Sequence, residues 1–216
     1  MADYIMTEPA TLDFANGLFR DRDGKYSCYL LIDKSTPGGQ AEAKAIAQAI
    51  QDAIKDGTRP SGNYPAPLAG LDPNDQNAVK RLSLPLKDGD KDVFALGEHA
   101  GERRADVYPE FAGHWFLKVS AGEHRMVDEG LVRDMSNRPV QASQVYSGNR
   151  VRANLWFAAW NNNGNRGVQA RLNALLIVEP GEPLVQGGHG GDPFAGFGLP
   201  AADASTGGDP FANMGV

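Results

Sequence analysis

The sequence predicts a mainly β domain with one inserted amphipathic helix, long loops and a flexible acidic C-terminal tail. Three observations lead there. Several stretches alternate apolar and polar residues with period two, as half-buried strands do, and only residues 39–55 repeat apolar residues at helical spacing. From Glu179 onward the chain is rich in Gly and Pro, with too few apolar residues to offset the entropy of ordering.

Residues 11–19 and 25–33 are predicted strands joined by the polar turn Arg20-Asp-Arg-Asp-Gly24, whose Asp-Gly is a hairpin signal. In the second strand Tyr26, Cys28, Leu30 and Ile32 share the face expected on the core. Lys25, Ser27, Tyr29 and Leu31 share the other. In residues 39–55 the apolar stripe is Ala45, Ile46, Ala49, Ile50, Ala53 and Ile54, and Gly57 ends it; such a helix lies on a sheet or closes the end of a barrel. Residues 58–92, interrupted by Pro60, Pro65, Pro67, Pro73 and Pro85, form a long loop with a short turn around 75–82. Its acids Asp88, Asp90 and Asp92 lack the glutamate and spacing of a calcium loop, so no metal site is expected. Residues 112–121 are a further strand with Trp115, Leu117 and Val119 toward the core. On its other face Phe116 and Lys118 are candidate contacts for a base and a phosphate. Residues 125–133 are another candidate strand.

The most informative stretch is a hairpin, residues 149–160 and 167–178, around Asn161-Asn-Asn-Gly-Asn-Arg166, a loop of residues that tolerate positive φ. On its first strand alternation turns Val151, Ala153, Leu155, Phe157 and Ala159 inward and Arg150, Arg152, Asn154, Trp156 and Trp160 outward. On the second, Val168, Ala170, Leu172, Ala174, Leu176 and Val178 are expected inward, opposed by Gln169, Arg171 and Asn173. Guanidinium groups neutralise phosphates, and indole rings stack on unpaired bases whose faces a duplex does not expose. The candidate binding residues for single-stranded DNA are therefore Arg150, Arg152, Trp156, Trp160, Arg166 and Arg171, supported by Tyr146, Phe116 and Lys118. The alternative use of Trp156 and Trp160 is as a second core layer beneath the helix, with the arginines there for solubility.

Charge is segregated along the chain. Residues 135–178 hold five arginines and no Asp or Glu, while residues 179–216 hold five acids and no Lys or Arg, although the net charge of the 216 residues is −6. Local fields, screened over about 10 Å at moderate salt, decide what docks on each part. Enzymatic classes find no support: the four histidines are scattered, and no Ser-His-Asp, Cys-His or paired-carboxylate arrangement stands out. The single Cys28 supplies neither a disulfide nor a thiolate metal site, and no cofactor is expected. The absence of an apolar run near 18 residues, and of a secretion signal, predicts a cytoplasmic protein with no membrane partner.

The segments Gly24-Lys-Tyr-Ser-Cys-Tyr-Leu-Leu-Ile-Asp-Lys34, Leu86-Lys-Asp-Gly-Asp90, Val145-Tyr-Ser-Gly148 and Asn163-Gly-Asn-Arg-Gly-Val-Gln-Ala-Arg-Leu-Asn173, in this order and spacing, resemble a family of bacteriophage single-stranded DNA-binding proteins long classed as a domain of unknown function. The resemblance implies an OB-fold barrel with embellishments, no catalysis, and a role in phage DNA replication or recombination. Two departures from a plain OB-fold stand out: there are more candidate strands than five, and the helix follows the second strand. Residues 1–178 are then the expected binding domain and 179–216 the tail. Within the tail Gly-Asp192-Pro-Phe194-Ala recurs as Gly-Asp209-Pro-Phe211-Ala, similar to the acidic tails by which bacterial single-stranded DNA-binding proteins recruit replication and repair partners. Those tails end on the Pro-Phe pair, whereas here the five residues Ala212 to Val216 follow it, so capture of a terminal carboxylate is not expected. A competing interpretation is a phage virion or assembly β-sandwich that uses its Arg and Trp face for protein contacts.

Overall fold

The computed structural model describes residues 4–19, 24–62 and 64–184. Strands β1 (Ile5–Met6) and β2 (Ala10–Asp13) open the chain. The predicted strand over 11–19 stops at Asp13, because Phe14 takes a left-handed φ of 50° and Ala15–Leu18 wind into a 3-10 turn. Arg20 to Asp23, in the predicted turn, lie outside the described residues. β3 (Tyr26–Asp33) keeps the expected parity, with Tyr26, Cys28, Leu30 and Ile32 all buried.

The helix α1 (Pro37–Gly57) begins two residues before the predicted start. Thr36 caps it, accepting from the Gly39 N–H at 3.0 Å, and Pro37 sits in the first turn, where no N–H is needed. Its buried face is Ala43, Ile46, Ile50 and Ile54, with Glu42 buried beside them, while Ala45 is turned to solvent. The long loop after it contains α2 (Gln76–Val79) and leads to β4 (Leu86–Asp88). Then come α3 (Arg104–Val107), β5 (His114–Gly122), β6 (Val132–Asp134), β7 (Arg150–Asn162) and β8 (Asn165–Glu179).

Five of these strands close on themselves in the order β7-β2-β3-β5-β8 and back to β7. Every neighbouring pair is antiparallel except β5 and β8, which run parallel. This ring has the strand order of an OB-fold. The surplus strands are explained by position: β1 flanks β7, β4 flanks β5 and β6 flanks β8, all outside the closed circuit. α1 joins the second and third ring strands, as expected, and packs against β3 and β7. No helix among the described residues is long and apolar enough to cross a membrane.

The β7–β8 hairpin is longer and tighter than predicted. Asn162 pairs with Asn165 across a two-residue turn, Asn163-Gly164, with φ of 51° and 89°. Positive φ at both central positions matches the right-handed twist of the strands, and Asn-Gly tolerates it best. Arg166 thereby becomes a strand residue. A second difference lies near the other end: Leu155 pairs with Leu172 but Asn154 with Ala174, so Asn173 is a bulge. One extra residue reverses the parity beyond it. Leu175 and Ile177 pack on the core, and Ala174, Leu176 and Val178, expected inward, lie half-exposed on the other side.

The main core fills the ring. A smaller cluster, Leu31, Phe111 and Phe116 with Phe14, Tyr29, Tyr108 and Leu184, sits on the outer face of β3 and β5. After β8 the packed chain continues past Val178 to Leu184, whose N–H donates to the Ser147 carbonyl at 2.8 Å. The tail residues Asp192, Phe194, Asp209 and Phe211 lie outside the described residues.

Candidate nucleic-acid interface

Alternation on β7 places Val151, Ala153 and Leu155 in the core and Arg152, Asn154 and Trp156 half-buried on the outer face. Ring closure then sets these outward residues beside groups from distant parts of the chain. Trp156 pairs with Arg171 across β7 and β8, Arg171 with Ser120 across β8 and β5, and Ser120 with Ser27 across β5 and β3. Lys118, two residues before Ser120 on the same face, is exposed and opposite Tyr29. Trp156, Arg171 and Lys118 thus share one surface across three strands.

The arginines of this surface are held by neutral acceptors. Arg150 donates to Thr11 Oγ1 and the Pro9 carbonyl, both at 2.9 Å, and Arg152 Nε to the Thr7 carbonyl at 2.8 Å. Arg171 donates from Nε and Nη2 to the Gln169 amide oxygen at 3.1 and 3.2 Å, the amide orientation being the one these bonds require. Arg166 Nη1 donates to the Ala69 carbonyl at 3.3 Å. Among the described residues every ion pair within 4 Å uses other cations. Two carboxylates act on the set through space. Hydrogen bonds from the Ser35 hydroxyl and N–H hold Asp33 below its ordinary value, with a lesser contribution from Arg150, whereas burial raises Glu42 despite Arg152. The guanidinium groups are oriented without being neutralised by direct contact, which suits them to an arriving polyanion.

The two tryptophans are not a second core layer. Trp115 and Phe157 pack against the core; Trp156 and Trp160 are half-buried outside it. Trp160 pairs with Gly167 and lines a cleft at the hairpin tip with Arg166, away from the Trp156 row. Tyr146 stands apart at the approach to β7, where its hydroxyl donates to the Gly181 carbonyl at 3.0 Å and fastens the chain leaving β8.

Phe116 has the predicted parity but not the predicted exposure. It is 2% exposed, because residues 104–111 fold over this part of the outer face. Its ring lies 5.0 Å from Phe111 and 5.8 Å from Tyr29, and the Arg104 guanidinium lies 4.8 Å above it. Enclosed in this way, it has no exposed surface for a base. The acids of the preceding loop are engaged as well: Asp88 and Asp90 hold Lys34, and Asp92 holds Arg104 and Lys87, each at 2.8 Å. Sequence reasoning missed Ser27 and Ser120 as members of the row. Their parity with Tyr29 and Lys118 is visible along the chain, but their place beside Arg171 is not.

A closed OB-type ring bearing an outward row of guanidinium, ammonium and indole groups defines the class of single-strand nucleic-acid-binding proteins. The chain belongs to the Enterobacter phage Enc34 ssDNA-binding protein family, whose sequence model matches residues 10–205. No curated protein sequence matches it. Among solved structures it is similar to the single-stranded DNA-binding protein from bacteriophage Enc34, at 20% identity over 85% of each chain with a TM-score of 0.60. It is also similar to that protein in complex with ssDNA, at 20% identity over 83% of this chain and 88% of that one, TM-score 0.59. Bacteriophage T7 gp2.5, a single-stranded DNA-binding protein, matches at 13% identity over 95% of this chain and 100% of its own, TM-score 0.53.

Proposed function

We propose that this protein coats single-stranded DNA with little sequence preference during phage DNA replication or recombination, in the host-cell cytoplasm and without a catalytic step. The observation that carries the proposal is the row formed by Trp156, Arg171 and Lys118, flanked by Arg150 and Arg152, in which the guanidinium groups are oriented by neutral acceptors. Membership of a phage single-stranded DNA-binding family supports the same ligand. Bases stack on Trp156, and the strand backbone runs past the guanidinium groups; phosphates and base faces are common to every sequence, so affinity is expected to be tolerant of sequence. The binding unit comprises the ring and its packed extension to Leu184. The tail, with Asp192, Phe194, Asp209 and Phe211, recruits phage or host replication proteins through its repeated Asp-Pro-Phe.

A titration of labelled single-stranded, duplex and RNA oligomers tests the ligand. Tight binding of oligothymidine with quenching of tryptophan emission is expected. With four or five phosphates neutralised, log affinity falls against log salt with a slope of about −3, by the single-strand coefficient of roughly 0.7 per phosphate. Equal affinity for duplex and single strand, or no quenching on binding, sinks the stacking model.

A further inference from the structure

Where the segment between α1 and β4 meets the tip of the β7–β8 hairpin, an open cleft of about 500 Å³ lies beyond the Trp156 row. Its walls include Leu71, Arg81, Leu82, Ser83, Trp160 and Arg166. The segment is fastened there through its backbone: the Ser83 N–H donates to the Arg166 carbonyl, and the Val168 N–H to the Ser83 carbonyl, both at 3.0 Å. Asn161 Nδ2 adds a bond to the Pro67 carbonyl at 3.1 Å. Gly167 permits this approach, since a Cβ there would stand 2.2 Å from the Ser83 carbonyl oxygen. The cleft is therefore a product of the inserted segment and the hairpin together.

Its chemistry is mixed in a specific way. Leu71 and Leu82 give an apolar floor, Trp160 an indole, Ser83 a hydroxyl, and Arg81 and Arg166 two guanidinium groups; no carboxylate is among its described lining residues. Arg81 is exposed and in no ion pair among the described residues. The volume falls within the roughly 300–1,000 Å³ of small-molecule sites, ample for one nucleotide. We propose that the cleft takes one nucleotide of the bound single strand, its base on Trp160 over the leucine floor and its flanking phosphates at Arg81 and Arg166. Arg81 is then a DNA contact supplied by the inserted segment. The proposal rests on the single-stranded DNA reading above and extends the strand's path from the row to the hairpin tip.

The test uses the full chain. With Trp115→Phe and Trp156→Phe, Trp160 is the one remaining indole of three. Oligothymidine is expected to quench its emission, and thymidine monophosphate at equal nucleotide concentration is not. Independently, Arg81→Ala, an exposed substitution in the otherwise unaltered protein, is expected to flatten the salt slope by about 0.7, one phosphate's worth. Trp160→Ala should weaken binding roughly 5- to 150-fold, the range for one stacked base. If labelled oligothymidine binds but Trp160 emission and the Arg81→Ala slope are unchanged, the cleft is not on the strand's path, while the row stands. Quenching by the monophosphate as strong as by the oligomer makes it a free-nucleotide site and overturns the proposal. Failure of the unaltered protein to bind any oligomer overturns the row and the cleft together.

Discussion

Two regions of this protein combine arginine with aromatic rings, and they do opposite things. Over β3 and β5, Arg104 lies 4.3 Å from the Phe94 ring centroid, 4.8 Å from Phe116 and 5.4 Å from Phe111, and its Nε donates to Asp92 at 2.8 Å. There the charge is neutralised and the side chain largely buried. On β7 and β8 the arginines bond carbonyls, a hydroxyl and an amide, and Trp156 beside them is half-exposed. Arginine with aromatics is thus a composition shared by a structural clasp and a binding surface. What separates them is the countercharge: a carboxylate at contact distance closes the site, whereas neutral acceptors orient the guanidinium and leave its field to act on solvent and ligand.

The contrast makes separable predictions. Phe116→Ala removes a buried ring from the clasp and is expected to lower stability by about 3–5 kcal/mol, measured by denaturant unfolding, with an unchanged salt slope of binding in the protein that remains folded. A loss of oligothymidine affinity of about 1–3 kcal/mol in the folded protein, with the slope unchanged as for any uncharged ring, would place Phe116 in the interface after all. Trp156→Ala should do the reverse, weakening oligothymidine binding by about 1–3 kcal/mol with a shift in unfolding midpoint that is small beside it.

Asp13 belongs to the covered side. It is fully buried beneath the aromatic cluster, and burial pushes its pKa up to about 6 against the opposing bonds from the Phe14 N–H and the Ser147 side chain. Nearby Glu110 adds to the rise. A carboxyl whose folded pKa exceeds its unfolded 3.8 favours folding at low pH and loses that contribution as pH rises through about 6. Asp13→Asn keeps the acceptor for Phe14 and should abolish a fall in stability of about 2 kcal/mol between pH 4 and 7. Unfolding midpoints that fall equally in both proteins would show that other groups govern that window. The smallest effects are expected from the two cations of the row. Arg171→Ala and Lys118→Ala should each reduce the salt slope by about 0.7, with nearly equal losses of affinity for different base sequences. A strongly sequence-dependent loss would mean that one of them reads a base.

Much of this was legible along the chain because strand alternation is local. Parity alone turns Arg152, Trp156 and Arg171 outward, and the structure places them so. The family resemblance implies the barrel of an OB-fold, and the structure closes five strands into such a ring. The errors came where local pattern is overridden by something arriving from elsewhere. Phe116 was assigned outward correctly, yet residues 104–111 cover it. Ala174, Leu176 and Val178 were assigned inward, yet the bulge at Asn173 turns them out. A continuous apolar run such as Ala174 to Val178 has no alternation from which the reversal could be detected.

Sequence by itself determined the composition of the surface, a stretch of arginine and tryptophan without acids, and which side of its own strand each residue occupies, since both depend on neighbours along the chain. Only the tertiary structure decided which strands stand side by side. Parallel pairing of β5 with β8 brings Lys118 and Ser120 next to Arg171, and closure of β8 on β7 brings Arg171 next to Trp156. These pairs lie far apart in the sequence and meet through backbone hydrogen bonds of ring closure, which carry no side-chain signature. The same is true of the cleft: Arg81 joins Trp160 and Arg166 because Ser83 docks at Gly167, a contact set by two backbones and by the absence of one Cβ.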